Sequence, residues 1–215
     1  MMKKAPAIFS SHNPLYLLAL GDSYTIGEAV RPADRFLYQF IRKARTTWGL
    51  SFARPDLVAQ TGWTTAELWA AIQRKSIRSS YDFVTLLIGV NNQYRGLSLR
   101  TYRTEFKQLL SFALEKAQGQ PSRVRVLSIP DWGVTPFVSQ DKLKRTSTRI
   151  ARDINAYNRI NKEVAHAFSV GYVDITAISR LALKHPHLLA SDGLHPSGKM
   201  YALWSDAIFH SLSTK

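Results

Sequence analysis

At 215 residues the chain is long enough for one well-packed domain and short for two. Hydrophobic residues at 45% and charged residues at 20% give an ordinary globular balance that excludes disorder, and the absence of cysteine excludes disulfides and thiolate metal sites. With 29 Lys+Arg against 15 Asp+Glu, the formal charge of +14 favours anionic partners; no zinc-finger, RRM or KH pattern accompanies it, so a nucleic-acid module is not expected.

The first apolar run, Leu15 to Leu20, is unbroken, the pattern of a strand buried on both faces of a parallel sheet. It is strand-sized, as is Val84 to Ile88, so neither reads as a membrane span. Lys3 and Lys4 precede it, but the run leads straight into Gly21-Asp22-Ser23 and not into a small-residue cleavage site. It therefore reads as a first strand, not a secretion signal, and a cytoplasmic location is expected. A helix follows from about Ala33 to Trp48, with Phe36, Phe40, Ile41, Ala44 and Trp48 at helical spacing. Asp56 to Gln60 makes a short second strand that ends at Thr61-Gly62. Thr64 and Glu67 then form a capping box, opening a helix that runs to about Arg78.

The third strand, Asp82 to Ile88, stops at Gly89, and a loop from Val90 to Gly96 leads to a helix from about Ser98 to Ala117. Arg123 to Ile129 is the fourth strand, and Pro130-Asp131-Trp132-Gly133 opens a long loop. The longest helix is predicted from about Lys142 to Phe168. Its basic run, Lys142, Lys144, Arg145, Arg149, Arg152, Arg159 and Lys162 against only Asp141 and Asp153, reads as a solvated helix face. Val170 to Ile175 is the fifth strand, a loop carries Ser191 to Pro196, and a last helix spans about Ser197 to Ser211. Strand and helix alternate with no repeat or linker, which implies one domain over residues 1–215, a parallel sheet covered by helices on both faces.

On that frame Ser23 follows strand one, Gly62 strand two, Asn91 strand three, Asp131 strand four, and Asp192 and His195 strand five. In a parallel sheet all lie at the same carboxyl edge, where ligands of open α/β sheets bind. A scatter of ordinary turn residues would decorate both edges.

Gly21-Asp22-Ser23, Gly62, Gly89-Val90-Asn91 and Asp192-Gly193-Leu194-His195-Pro196 resemble, in order, the four blocks of the SGNH hydrolases, the GDSL-like esterase/lipase superfamily. The resemblance implies a flavodoxin-like three-layer α/β/α sandwich, here with the five-stranded parallel sheet read above, and hydrolysis or transfer of acyl groups; no metal or cofactor is expected. Two positions depart from the pattern. Asn92 stands where the family commonly has Asp, and since the family carries Asp there, Asp in its place should be tolerated. Tyr24 replaces the usual Leu at a site-lining position.

The chemistry assigns roles. A serine hydroxyl needs a base within hydrogen-bond reach, and a histidine titrating near neutrality suits that task. His195 needs a carboxylate on its other ring nitrogen, and Asp192, three residues earlier, can fold back to reach it. His185 and His187 have no such partner. For the oxyanion, the family pattern supplies the backbone N–H groups of Ser23 and Gly62 and the side-chain amide of Asn91. Asp22 reads as a structural acceptor, while Trp63, Tyr94 and Trp132 line an acyl pocket or pack at its rim.

A serine hydrolase acting on a carboxylic ester is thus expected, its substrate a small-molecule, lipid or sugar ester that the charge allows to be anionic. The alternatives are an O-acyltransferase with the same triad, and a non-catalytic basic binding protein on the same fold. Acyl chain, alcohol and oligomeric state stay open at this level.

Overall fold

Strands that are apolar without alternation are stable only where both faces are covered. The computed structural model describes residues 4–9 and 14–213, so Lys3 lies outside the described residues. Within them β1 (Leu17–Gly21), β2 (Asp56–Ala59), β3 (Phe83–Leu87), β4 (Val124–Leu127) and β5 (Gly171–Val173) pair in parallel in the order β2-β1-β3-β4-β5. β1, β3 and β4 are buried along their whole length, and Leu20 sits between Val58 and Leu86. The chain goes outward from β1 to β2, then crosses back to β3. The winding therefore reverses between β1 and β3, which opens a crevice beyond their carboxyl ends.

Helices α2 (Phe36–Trp48) and α8 (Gly198–Ser213) pack on each other over one face of the sheet; α3 (Thr65–Ile72), α5 (Leu99–Lys116) and α6 (Ser147–Ala167) cover the other. Three short helices, α1 (Ser23–Ile26), α4 (Val90–Tyr94) and α7 (Thr176–Ser179), sit at the carboxyl edge. The long helices form because each has one apolar stripe, and α3, α5 and α6 have a side-chain cap as well. Phe36, Leu37, Phe40, Ala44 and Trp48 are the buried stripe of α2. Thr64 and Glu67 close the capping box of α3, and Ser98 and Thr146 cap α5 and α6.

Local hydrogen bonding moves several boundaries. The longest helix begins at Ser147, not Lys142, because the Asp141 carboxylate takes the backbone N–H of Arg145 at 2.9 Å and folds 141–145 into a turn. Lys142, Lys144, Arg149, Arg152, Arg159 and Lys162 are exposed, as a solvated face requires, but Arg145 is buried against Asp141. The second helix begins at Phe36 after a 3-10 turn over Pro32–Asp34, and α3 stops at Ile72. The fifth strand is short because Asp174 accepts the N–H of Thr176 at 2.9 Å and starts α7. Residues 90–94, expected as loop, coil into α4.

Candidate active site

The site begins at a glycine that nothing else could replace. A Cβ on Gly21 would lie 2.0 Å from the Thr25 hydroxyl oxygen and 2.3 Å from the Leu87 carbonyl oxygen, so β1 can turn against β3 only there. Asp22 then caps α1, accepting the Tyr24 N–H at 3.0 Å. Its other carboxylate oxygen is buried and has no partner among the described residues, and burial pushes the carboxyl up to about 7. Ser23, the first residue of α1, is 5% exposed.

From the opposite wall the loop before α8 brings the base. One carboxylate oxygen of Asp192 accepts the N–H groups of Leu194 and His195, each at 3.0 Å, which folds Asp192–His195 into a turn. The second oxygen, Oδ2, lies 2.6 Å from His195 Nδ1, and His195 Nε2 lies 2.9 Å from Ser23 Oγ. Burial raises the Asp192 carboxyl, but bonds from the His195 ring and the two N–H groups outweigh it and hold it below its ordinary value. The imidazole is 6% exposed and packs on the Tyr24 ring, 4.9 Å between centroids.

Hydrogen-bond donors gather at the same crevice. Asn91, in α4 beyond β3, gives one amide hydrogen to the Trp63 carbonyl at 2.9 Å and has a second available. Gly62 turns at φ +84°, a region few other residues adopt without strain, and its carbonyl accepts from Arg95 Nη2 at 2.6 Å. Arg95 in turn pairs with Glu67 at 3.2 Å. Neither the Ser23 N–H nor the Gly62 N–H donates to any described residue. Asn92 stands behind, accepting the Thr65 N–H at 3.0 Å and donating to the Thr65 hydroxyl oxygen at 2.6 Å.

A cavity of about 100 Å³ opens at these groups. Ser23, Asn91 and His195 form its polar end, and Tyr24, Tyr94, Trp132 and Phe137, with Val90 and Leu194, its apolar walls. Six of the residues singled out in the sequence thus meet around one space, with Asp192 directly behind His195. Gly62 and Trp63 do not line it. The Trp63 carbonyl orients Asn91, while its ring packs against the core. Val90 and Leu194 lie inside motifs that could have disclosed them; Phe137 comes from a 3-10 turn with no pattern to mark it. His185 and His187 are exposed and outside the cavity. Among the described residues no cluster of three or more His, Cys, Asp or Glu is arranged to hold a metal, and no helix is long and apolar enough to cross a membrane.

At the carboxyl edge of a parallel sheet, hydroxyl, imidazole and carboxylate joined in line give the serine the oriented base that a nucleophile requires. Residues 19–203 match the model of the GDSL-like Lipase/Acylhydrolase family, and the chain belongs to that family. In structure it is similar to Axe2, an acetylxylan esterase from Geobacillus stearothermophilus, at 21% identity over 97% of each chain with a TM-score of 0.72. Catalytic mutants of that esterase, with a serine, an aspartate or a histidine changed to alanine, match 100% of this chain and 98% of theirs at 18–19% identity, with TM-scores of 0.69–0.71. LAE5, an alpha/beta hydrolase enzyme from the metagenome of Lake Arreo, Spain, matches at 18% identity over 96% of this chain and 97% of its own, with a TM-score of 0.69. No curated protein matches the sequence.

Proposed function

We propose that the protein, acting as one catalytic domain, hydrolyses short-chain carboxylic esters, acetyl esters foremost, through a Ser23–His195–Asp192 triad. The observation that carries this is the bridge made by one imidazole, 2.9 Å from Ser23 Oγ and 2.6 Å from Asp192 Oδ2. Asp192 holds the ring proton on Nδ1, leaving Nε2 free to accept the Ser23 proton as Oγ attacks the ester carbonyl. The negative charge that develops on the carbonyl oxygen is met by the N–H groups of Ser23 and Gly62 and the second amide hydrogen of Asn91. The imidazolium then protonates the departing alcohol oxygen, leaving an acyl group on Ser23. Water, giving a proton to His195, attacks that acyl group; the carboxylic acid leaves and the Ser23 hydroxyl is restored.

The acyl preference comes from size. A cavity of about 100 Å³ walled by aromatic rings suits an acetyl or similarly short chain, whereas pockets for drug-sized ligands run to roughly 300–1,000 Å³. The likeness to an acetylxylan esterase makes acetylated xylo-oligosaccharide the first natural substrate to test. The charge of +14 adds acetylated anionic polysaccharide as the second. The test is a series of p-nitrophenyl esters from acetate to palmitate, with fluorophosphonate labelling of Ser23. The highest kcat/KM is expected at acetate or butyrate. Palmitate as the best substrate would overturn the chain-length assignment, and a folded protein that neither turns over any ester nor takes the label would overturn the triad.

A further inference from the structure

Behind the aromatic wall of the cavity lies a charge that the catalytic chemistry does not use. Arg145 is 7% exposed, and its guanidinium sits 5.4 Å from the centroid of the Tyr94 ring and 5.1 Å from that of Trp132. Those rings, themselves edge-to-face at 5.4 Å, line the cavity together with Phe137. Asp141 holds Arg145 in a fork, with Nε on one carboxylate oxygen and Nη2 on the other, both at 2.9 Å. A side chain anchored twice has its plane fixed, which a single charge contact would not achieve. The hold on Arg145 shows in the acid: bonds from the Arg145 side chain outweigh burial and take the Asp141 carboxyl down to about 2.

A third link closes the arrangement. Arg145 Nη1 donates to the Gln93 carbonyl at 3.3 Å, and the Gln93 side-chain oxygen accepts the Trp132 indole N–H at 2.8 Å. Trp132 is therefore held by its ring face and by its N–H, both traced to one guanidinium. Buried ion pairs add little net stability, since the desolvation of both ions offsets their attraction. A fully buried pair beside a substrate cavity is better accounted for by the geometry it imposes.

We propose that Arg145, anchored by Asp141, is a positioning residue that sets the acyl-chain limit of the enzyme. It pins Tyr94 and Trp132 against the far end of the cavity, so the rings cannot swing back to admit a longer chain. The inference rests on the ester-hydrolase function proposed above and goes beyond it, because nothing in the triad requires this residue.

The test compares the parent with Arg145→Met and with the double variant Asp141→Asn/Arg145→Met. The double variant leaves no carboxylate buried without its partner and keeps, in the asparagine carbonyl at position 141, an acceptor for the backbone N–H of residue 145, so it is expected to fold even if the single variant does not. The ratio of kcat/KM for p-nitrophenyl acetate to that for the hexanoate is expected to fall at least tenfold in either variant. Acrylamide quenching of tryptophan emission gives a readout that needs no activity. Quenching should rise in the variants and should not rise when they are made in a Trp132→Phe background. A folded double variant with the parental acetate-to-hexanoate ratio overturns the proposal, and so does parental quenching. A parent that turns over no ester at all overturns the hydrolase function instead, and quenching alone then decides whether Arg145 holds the wall.

Discussion

Asp192→Asn separates the electrostatic role of this carboxylate from its structural one. The oxygen that accepts the Leu194 and His195 N–H groups, each at 3.0 Å, has an equivalent in the asparagine carbonyl, so the turn survives. The other oxygen, 2.6 Å from His195 Nδ1, becomes an NH₂ group. An NH₂ only donates, so Nδ1 must accept and the ring proton moves to Nε2. That nitrogen then directs a hydrogen at Ser23 Oγ, 2.9 Å away, and has no lone pair left for the serine proton. The expected loss in kcat is about 10⁴, as for the same change in another triad, or about 5.5 kcal/mol at 1.36 kcal/mol per decade. KM should change by no more than a few-fold. The assay is steady-state turnover of p-nitrophenyl acetate at high enzyme concentration, with thermal unfolding run in parallel. The pairing holds the Asp192 carboxyl below its ordinary value, so its stabilisation is present above about pH 4 and lost as the pH falls through the lower folded value. The Asn variant should lack that acid-side loss. A folded Asp192→Asn enzyme with kcat within tenfold of the parent would refute the role given to Asp192.

Three further outcomes are expected. Asn91→Ala should lower kcat by about 10²–10³ with little change in KM, since the amide is needed most once charge has developed; unchanged kcat removes it from the oxyanion site. Asn92→Asp, which family usage alone would tolerate, should cost about 1–3 kcal/mol in urea unfolding. The Thr65 hydroxyl has one hydrogen, now given to Glu105, so with a carboxylate at 92 one of the two acids loses its donor; an unchanged urea midpoint would contradict this. For Asp22, burial raises the folded carboxyl to about 7, so the stability of the neutral form is complete below about pH 4 and declines as the pH climbs toward 7. Asp22→Asn should flatten that decline, at most about 1.4 kcal/mol per pH unit for one proton, and parallel pH profiles of the two urea midpoints would refute it.

The sequence by itself determined the layered fold and the positions of Ser23, Asn91, Asp192 and His195. Unbroken apolar runs of strand length alternating with amphipathic helices select a covered parallel sheet, and a parallel sheet brings every strand's following loop to one edge. Identity, order and edge are one-dimensional information. Side-chain partnerships across loops are not, and the tertiary structure alone decided them. Arg145 reads as one member of an exposed basic run until the turn at Asp141 folds it inward against Tyr94 and Trp132. Phe137 joins the cavity wall only because the loop after β4 returns over the crevice. Asn92 reads as a substitute for a family aspartate until Thr65, whose N–H it accepts and whose hydroxyl gives its own hydrogen to Glu105, calls for an amide that accepts at one end and donates at the other. Periodicity reports which face of an element is buried; it carries no information about which loop atoms meet once the elements have packed.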